Sequence, residues 1–297
     1  MLYIIGRART LNIVLNPSFC PPPKRIWHQR SYLNSQMNIT RIYYFTGTGN
    51  SLAIARKIAE DTNAELIGIP SACKNPQPIP KDSSVGIVYP LYAGGLPNMV
   101  VRFLKSVSLA DAGYVFFVAT EGGQMGAPAS QIQRLSSAAG HAADACWWIQ
   151  MPDNYIPLSA PPAIPEQKAM YDAARHKAAA IAEQVKNREK HIEKMGFAGK
   201  LMGLAYGPFI KALPKSDEKF IISSSCTKCG ICVSVCPAEN ISLADQGKHL
   251  WHHRCEGCLA CLHFCPEEAI NIGKKTELRS RYRHPSASVS DMLQQKK

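Results

Sequence analysis

Arg41-Ile42-Tyr43-Tyr44-Phe45-Thr46-Gly47-Thr48-Gly49-Asn50-Ser51-Leu52-Ala53-Ile54-Ala55 runs from an apolar β-type stretch into a helical one through six small residues. The glycines of Thr46–Ser51 let the backbone approach a ligand closely. The helix that follows aims its unpaired amides, and the positive end of its dipole, into the same space. Thr46, Thr48 and Ser51 add three hydroxyls there, and Asn50 adds an amide. This composition suits a phosphate monoester bound without a metal. It is not a Walker loop, because no Gly-Lys-Ser/Thr follows. Nor is it the dinucleotide fingerprint, since Leu52 stands where that motif has its third glycine.

Further along, β-type runs recur at Glu65–Ile69, Ser84–Pro90, Tyr114–Thr120 and Asp144–Met151. Helix-like stretches lie between and after them, near Ser51–Asp61, Pro97–Ser106, Ala127–Ala138 and from Pro165 onward. Alternating strands and helices predict an α/β fold, a doubly wound parallel sheet covered on both faces. Ligands of such sheets bind outside the carboxyl ends of the strands. Two Gly-rich segments fall at such ends: Tyr89-Pro90-Leu91-Tyr92-Ala93-Gly94-Gly95 and Thr120-Glu121-Gly122-Gly123-Gln124. Tyr155 follows the end of the fifth strand. Trp147 and Trp148 are neighbours on that strand and must face opposite sides as packing residues.

The Thr46–Ser51 loop resembles the phosphate-binding loop of flavodoxins, T/S-x-T-G-N-T/S, at Thr46, Thr48, Gly49, Asn50 and Ser51. The resemblance implies FMN as cofactor. It also implies that the segments Tyr89–Gly95 and Thr120–Gln124 enclose the flavin ring, with Tyr89 or Tyr92 as the aromatic neighbour.

A second motif occupies the C-terminal third. The pattern C-x-x-C-x-x-C-x-x-x-C-P occurs twice, as Cys226, Cys229, Cys232, Cys236, Pro237 and as Cys255, Cys258, Cys261, Cys265, Pro266. Three closely spaced thiolates wrap three corners of an iron–sulfur cubane. In two-cluster ferredoxins the fourth Cys of such a run ligates the other cluster. One [4Fe-4S] cluster is therefore expected on Cys226, Cys229, Cys232 and Cys265, and a second on Cys255, Cys258, Cys261 and Cys236. Zinc sites use paired rather than tripled cysteines, and neighbours this close cannot form unstrained disulfides. Eight reduced thiols point to a reducing, cytoplasmic setting. His252 and His253 adjoin Cys255 but find every ligand place filled. Cys146, in an apolar run, is expected to be a small buried hydrophobe.

The net charge of +12 looks at first like a nucleic-acid signal. Residues 1–36 carry five basic and no acidic side chains, and residues 274–297 carry seven against two. Residues 37–160 carry eight of each, and residues 220–273 carry three basic against five acidic. The excess thus lies outside both cofactor regions and matches no base-reading motif. No apolar run approaches the length of a membrane span.

The expected organisation is an N-terminal extension (1–36) without a folded role, a flavodoxin-like FMN domain (37–190), a connector (191–219), a 2[4Fe-4S] ferredoxin module (220–273) and a basic tail (274–297). Within the first domain, Met170, Ala174, Ala178, Ile181 and Val185 form one helical face. The apolar Met195–Leu213 stretch is expected to pack the two domains together. In the module, Cys226–Ile241 and Cys255–Ile270 repeat with an offset of 29 residues.

As a whole the chain is similar to flavodoxin–ferredoxin fusion proteins, a family defined by its domain pairing. The expected function is electron relay between redox protein partners. The alternative is an FMN-dependent reductase of a small acceptor. Nothing in the sequence signals the oligomeric state.

Overall fold

The apolar runs become strands β1 (Thr40–Tyr44), β2 (Glu65–Gly68), β3 (Ser83–Pro90), β4 (Ala112–Glu121) and β5 (Ala145–Gln150) in a computed structural model that describes residues 40–123, 128–193 and 197–297. All of these belong to the unit Asn38–Lys297. The expectations for residues 1–36 and for Gln124 lie outside the described residues. Every pairing in the sheet is parallel, and the strand order is β2-β1-β3-β4-β5-β6. The first five strands follow the flavodoxin-like order. The sixth, β6 (His191–Ile192), pairs with Ala145 and Cys146 of β5. The sheet therefore runs two residues into the segment expected to be connector.

Period-two alternation sorts side chains onto two faces. On β4, Val115, Phe117 and Ala119 join one core layer with Tyr89, Phe103 and Ile132. This layer is covered by α2 (Ile69–Lys74), α3 (Asn98–Ser106) and α4 (Pro128–Ala138). Tyr114, Phe116 and Val118 join the other layer, under α1 (Asn50–Thr62) and α5 (Ile164–Lys186). The expected α5 stripe is there: Ala174, Ala178, Ile181 and Val185 are buried. Trp147 and Trp148 fall in opposite layers, and Cys146 is fully buried. Each large side chain buried this way stabilises the fold by about 1.5–3 kcal/mol.

The module is built of much shorter pieces. Helix α6 (Phe197–Ala212) and a 3₁₀ turn (Leu213–Lys219) lead into β7 (Phe220–Ile222), α7 (Ile231–Val235), β8 (Ile241–Leu243), β9 (His249–Trp251), α8 (Ala260–His263) and β10 (Ile270–Ile272). Strand β7 pairs antiparallel with β10, and β8 with β9. The 29-residue repeat is visible in the backbone. Lys228 and Gly257 both take positive φ (59° and 66°), as do Gly230 and Leu259 (76° and 58°) and Glu239 and Glu268 (50° and 48°).

Residues 274–297 are more than a basic fringe. After α9 (Gly273–Glu277), the chain crosses back over the sheet domain and ends in α10 (Val289–Gln294), started by a capping box between Ser288 and Asp291. Tyr282, Met292 and Gln295 are buried. The Gln295 carbonyl accepts from the Ser71 backbone, and Gln295 Nε2 donates to the Thr46 carbonyl.

Candidate functional site

The loop between β1 and α1 meets the module directly. At Gly47 an added Cβ would lie 2.2 Å from the Cys258 carbonyl oxygen, so only glycine permits this approach. Gly49 has φ +101°, in the region glycine favours, and a Cβ there would lie 2.3 Å from the Ala287 methyl of the tail. No side chain caps the start of α1, and amides at such a helix start can meet an anion.

Thr46, Thr48, Asn50 and Ser51 are buried, and each hydroxyl or amide is engaged. Thr46 Oγ1 accepts from Gly49 N at 3.0 Å, and Thr48 Oγ1 accepts from Asn154 Nδ2 at 2.5 Å. Asn50 Nδ2 donates to the Pro152 carbonyl at 3.0 Å, while its Oδ1 accepts from the Tyr282 hydroxyl at 2.6 Å. Ser51 and Thr120 share a hydrogen bond of 2.8 Å.

A cavity of about 590 Å³ opens beside this loop at the carboxyl ends of the strands. Of the expected flavin-site residues, Gly47, Asn50, Pro90, Leu91, Tyr92, Ala93, Gly94, Thr120, Glu121, Gly122 and Tyr155 line it. Thr46, Thr48, Gly49, Ser51, Gly95 and Gly123 do not. Tyr89 does not either: it is fully buried and packs edge-on to Phe117, with centroids 6.5 Å apart. Strand alternation assigns Tyr89 to the core, which leaves Tyr92 as the aromatic residue of this loop at the cavity.

Sequence reasoning missed several lining residues. Asp153 follows β5, beside Asn154 and Tyr155 whose place near the ring the sequence does suggest, and ties its loop by accepting from Tyr155 N at 3.0 Å and Ser159 Oγ at 2.6 Å. Phe209 comes from α6 and meets Tyr155 edge-on at 6.3 Å. The Gly257-Cys258-Leu259 turn also lines the cavity. Cys258 is thus both a member of the second cysteine run and part of this wall.

Two smaller recesses divide the eight cysteines. Cys226, Cys229, Cys232 and Cys265 line one, with His249 and Pro266; Cys236, Cys255, Cys258 and Cys261 line the other, with Phe220 and Trp251. Each recess takes three cysteines from one run and the last from the other. The thiols surround these spaces without converging on a point: among the described residues, no three His, Cys, Asp or Glu side chains are grouped to hold a single ion. Backbone amides point at the sulfurs in matching places, Asn240 N to Cys236 Sγ and Ala269 N to Cys265 Sγ, both at 3.3 Å. His249 Nε2 lies 3.3 Å from Cys232 Sγ. His252 contacts Ser242 at 3.0 Å, and His253 contacts Asp217 at 2.8 Å. Burial, reinforced by the negative charge neighbouring thiolates would carry, pushes the Cys258 and Cys261 thiols well above their ordinary range. A cationic iron core would offset that cost, so the donor set suits such a group.

Charged contacts hold the module in place. Glu256 is buried; it accepts from Arg102 Nη2 at 2.6 Å and from Met99 N, at the start of α3, at 2.8 Å. Burial raises its carboxyl, and Arg102 opposes the shift. Lys74 pairs with Glu239, and Arg56 with Asp291. Helix α6 adds Tyr206, whose hydroxyl donates to the Leu96 carbonyl at 2.7 Å.

Residues 225–270 match the family model described as a 4Fe-4S dicluster domain. No curated protein matches the chain. Among solved structures, the two-electron reduced flavodoxin of Megasphaera elsdenii is similar at 18% identity, over 46% of this chain and 99% of that one, with a TM-score of 0.29. The rubredoxin oxygen:oxidoreductase of Desulfovibrio gigas is similar at 17% identity, over 51% and 37%, with a TM-score of 0.33. The Trp repressor binding protein of Bacillus subtilis is similar at 16%, over 51% and 98%, also at 0.33. The fold assignment rests on the strand order and not on these likenesses. The chain joins a flavodoxin-like domain to a small ferredoxin-like 4Fe-4S module, the pairing found in flavodoxin–ferredoxin fusions. No helix among the described residues is long and apolar enough to cross a membrane.

Proposed function

We propose that this protein is an electron-transfer flavo-iron–sulfur protein. Cys226, Cys229, Cys232 and Cys265 would hold one [4Fe-4S] cluster, and Cys255, Cys258, Cys261 and Cys236 a second. FMN would occupy the 590 Å³ cavity, with its phosphate on the Thr46–Ser51 loop and the start of α1. When bound, the clusters exchange single electrons and the flavin exchanges one or two. The chain's own part is to bring the two sites together and keep water from the seam. The observation that carries this reading is the pair Cys258 and Leu259, which belongs to a cysteine recess and to the cavity wall at once. On the far recess Cys229 is exposed, a suitable edge for a redox protein partner. Eight cysteines that must stay reduced to hold clusters support a reducing, cytoplasmic compartment for this work.

A second reading draws on the mouth of the cavity, where Tyr155, Leu158 and Phe209 form an apolar lip fit for a small planar acceptor. Stopped-flow mixing of the anaerobically reduced protein separates the two. A carrier reduces ferredoxin- or flavodoxin-type partners rapidly and quinones or nitroaromatics slowly. Fast, saturable oxidation by one small acceptor would overturn the carrier reading in favour of the reductase.

A further inference from the structure

His263 lies on α8 between Cys261 and Cys265 and is 1% exposed. Both of its ring nitrogens serve other segments. The Tyr282 backbone N–H donates to Nδ1 at 3.1 Å, so Nδ1 carries no proton and Nε2 does. Nε2 then donates to the Asn154 carbonyl at 2.9 Å. Each of these partners goes on to hold one side chain of the Thr46–Ser51 loop. Asn154 reaches Thr48 Oγ1 through its amide, and Tyr282 reaches Asn50 Oδ1 through its hydroxyl. Two independent chains of contacts thus run from one imidazole in the cysteine module to two side chains of the loop.

We propose that His263 is a positioning residue for the flavin phosphate: through Asn154 and Tyr282 it sets Thr48 and Asn50, so that the cysteine module builds part of the phosphate site. The proposal rests on the reading of the cavity as an FMN site. Its physical basis is the cost of leaving buried polar groups without partners. Without the imidazole, the Asn154 carbonyl and the Tyr282 amide lose their partner, and both segments are freer to shift away from the loop. Leu91, Tyr92 and Gly122, the cavity residues expected to meet the ring, are hydrogen-bonded neither to His263 nor to Asn154 or Tyr282.

This asymmetry supplies the test. FMN and riboflavin share a ring and differ in the phosphate, so their dissociation constants are measured by flavin fluorescence on iron-loaded wild-type and His263→Phe protein, with iron and sulfide counted in each. Loss of two neutral hydrogen bonds predicts FMN binding weaker by roughly tenfold or more, riboflavin binding within twofold, and unchanged iron. His263→Gln, which retains a donor toward Asn154, should recover part of the loss. An equal loss for both flavins, or unchanged FMN affinity, would overturn the proposal. If His263→Phe loses iron or fails to fold, Tyr282→Phe, which removes the hydroxyl's contacts to Asn50 and Tyr171 but keeps the backbone donor to His263, must lower FMN affinity selectively, with Tyr171→Phe leaving it unchanged, or the proposal falls. Wild-type protein that binds neither flavin would refute the FMN reading itself, and this proposal with it.

Discussion

The six-stranded sheet and the cysteine module are held together differently. The sheet buries two apolar layers, and strands of up to ten residues such as β4 contribute alternately to both. The module has paired strands of three residues and helices of four and five. Its apolar cluster includes Cys232, Cys236 and Cys261 themselves. Two-stranded ribbons and single-turn helices are not stable alone in water. The sheet is therefore specified by its apolar pattern, whereas the module depends on what its cysteines bind.

The largest expected effect follows from that contrast. Stripping iron with a chelator under anaerobic reducing conditions should raise amide exchange across residues 220–273 by orders of magnitude, while β3 and β4 stay protected. A module equally protected without iron would break the comparison. Phe117→Ala probes the other side: a fully buried ring is lost, and the denaturant midpoint should fall by the equivalent of about 3–5 kcal/mol. The iron–sulfur absorbance of the folded protein should not change.

The seam between the regions gives a smaller effect. Gly47→Ala forces a methyl against the Cys258 carbonyl and should cost about 1–3 kcal/mol. It should weaken flavin binding and perturb the spectrum of the cluster nearest Cys258; a change in neither would mean the contact is unimportant.

The smallest effect is a pH dependence. Burial, then the charge of Arg56, lowers the His284 pKa to about 4 in the folded protein, against an ordinary value of about 6.5. Between those values the unfolded chain binds the extra proton and the folded chain does not. Stability should therefore fall as pH drops from about 6.5 toward 4, and stay level above. Guanidinium midpoints at several pH values should show this, with a shallower slope in His284→Asn; an identical slope would exclude His284 as a source.

What the sequence revealed follows the same division. Strand–loop–helix order at Arg41–Ala55, the α5 stripe and the exchange of fourth cysteines between recesses are local or repetitive patterns. Strand β6 was not legible, because two residues carry no periodicity and only pairing with β5 defines it. Tyr89 and Tyr92 could not be separated without knowing that β3 still holds Tyr89, on its core face, and ends before Tyr92. The roles of Asn154, His263, Tyr282 and Gln295 were hidden for another reason. Their partners in the sheet domain lie from just over 100 to almost 250 positions away in the chain, and no local pattern records such contacts.

The composition of the holoprotein purified without oxygen is the most direct test of the two-module reading. About eight irons, eight sulfides and one FMN per chain are expected. Zinc in place of iron, or four irons with one cysteine set unused, or a cavity that takes up no FMN when it is supplied, would contradict it.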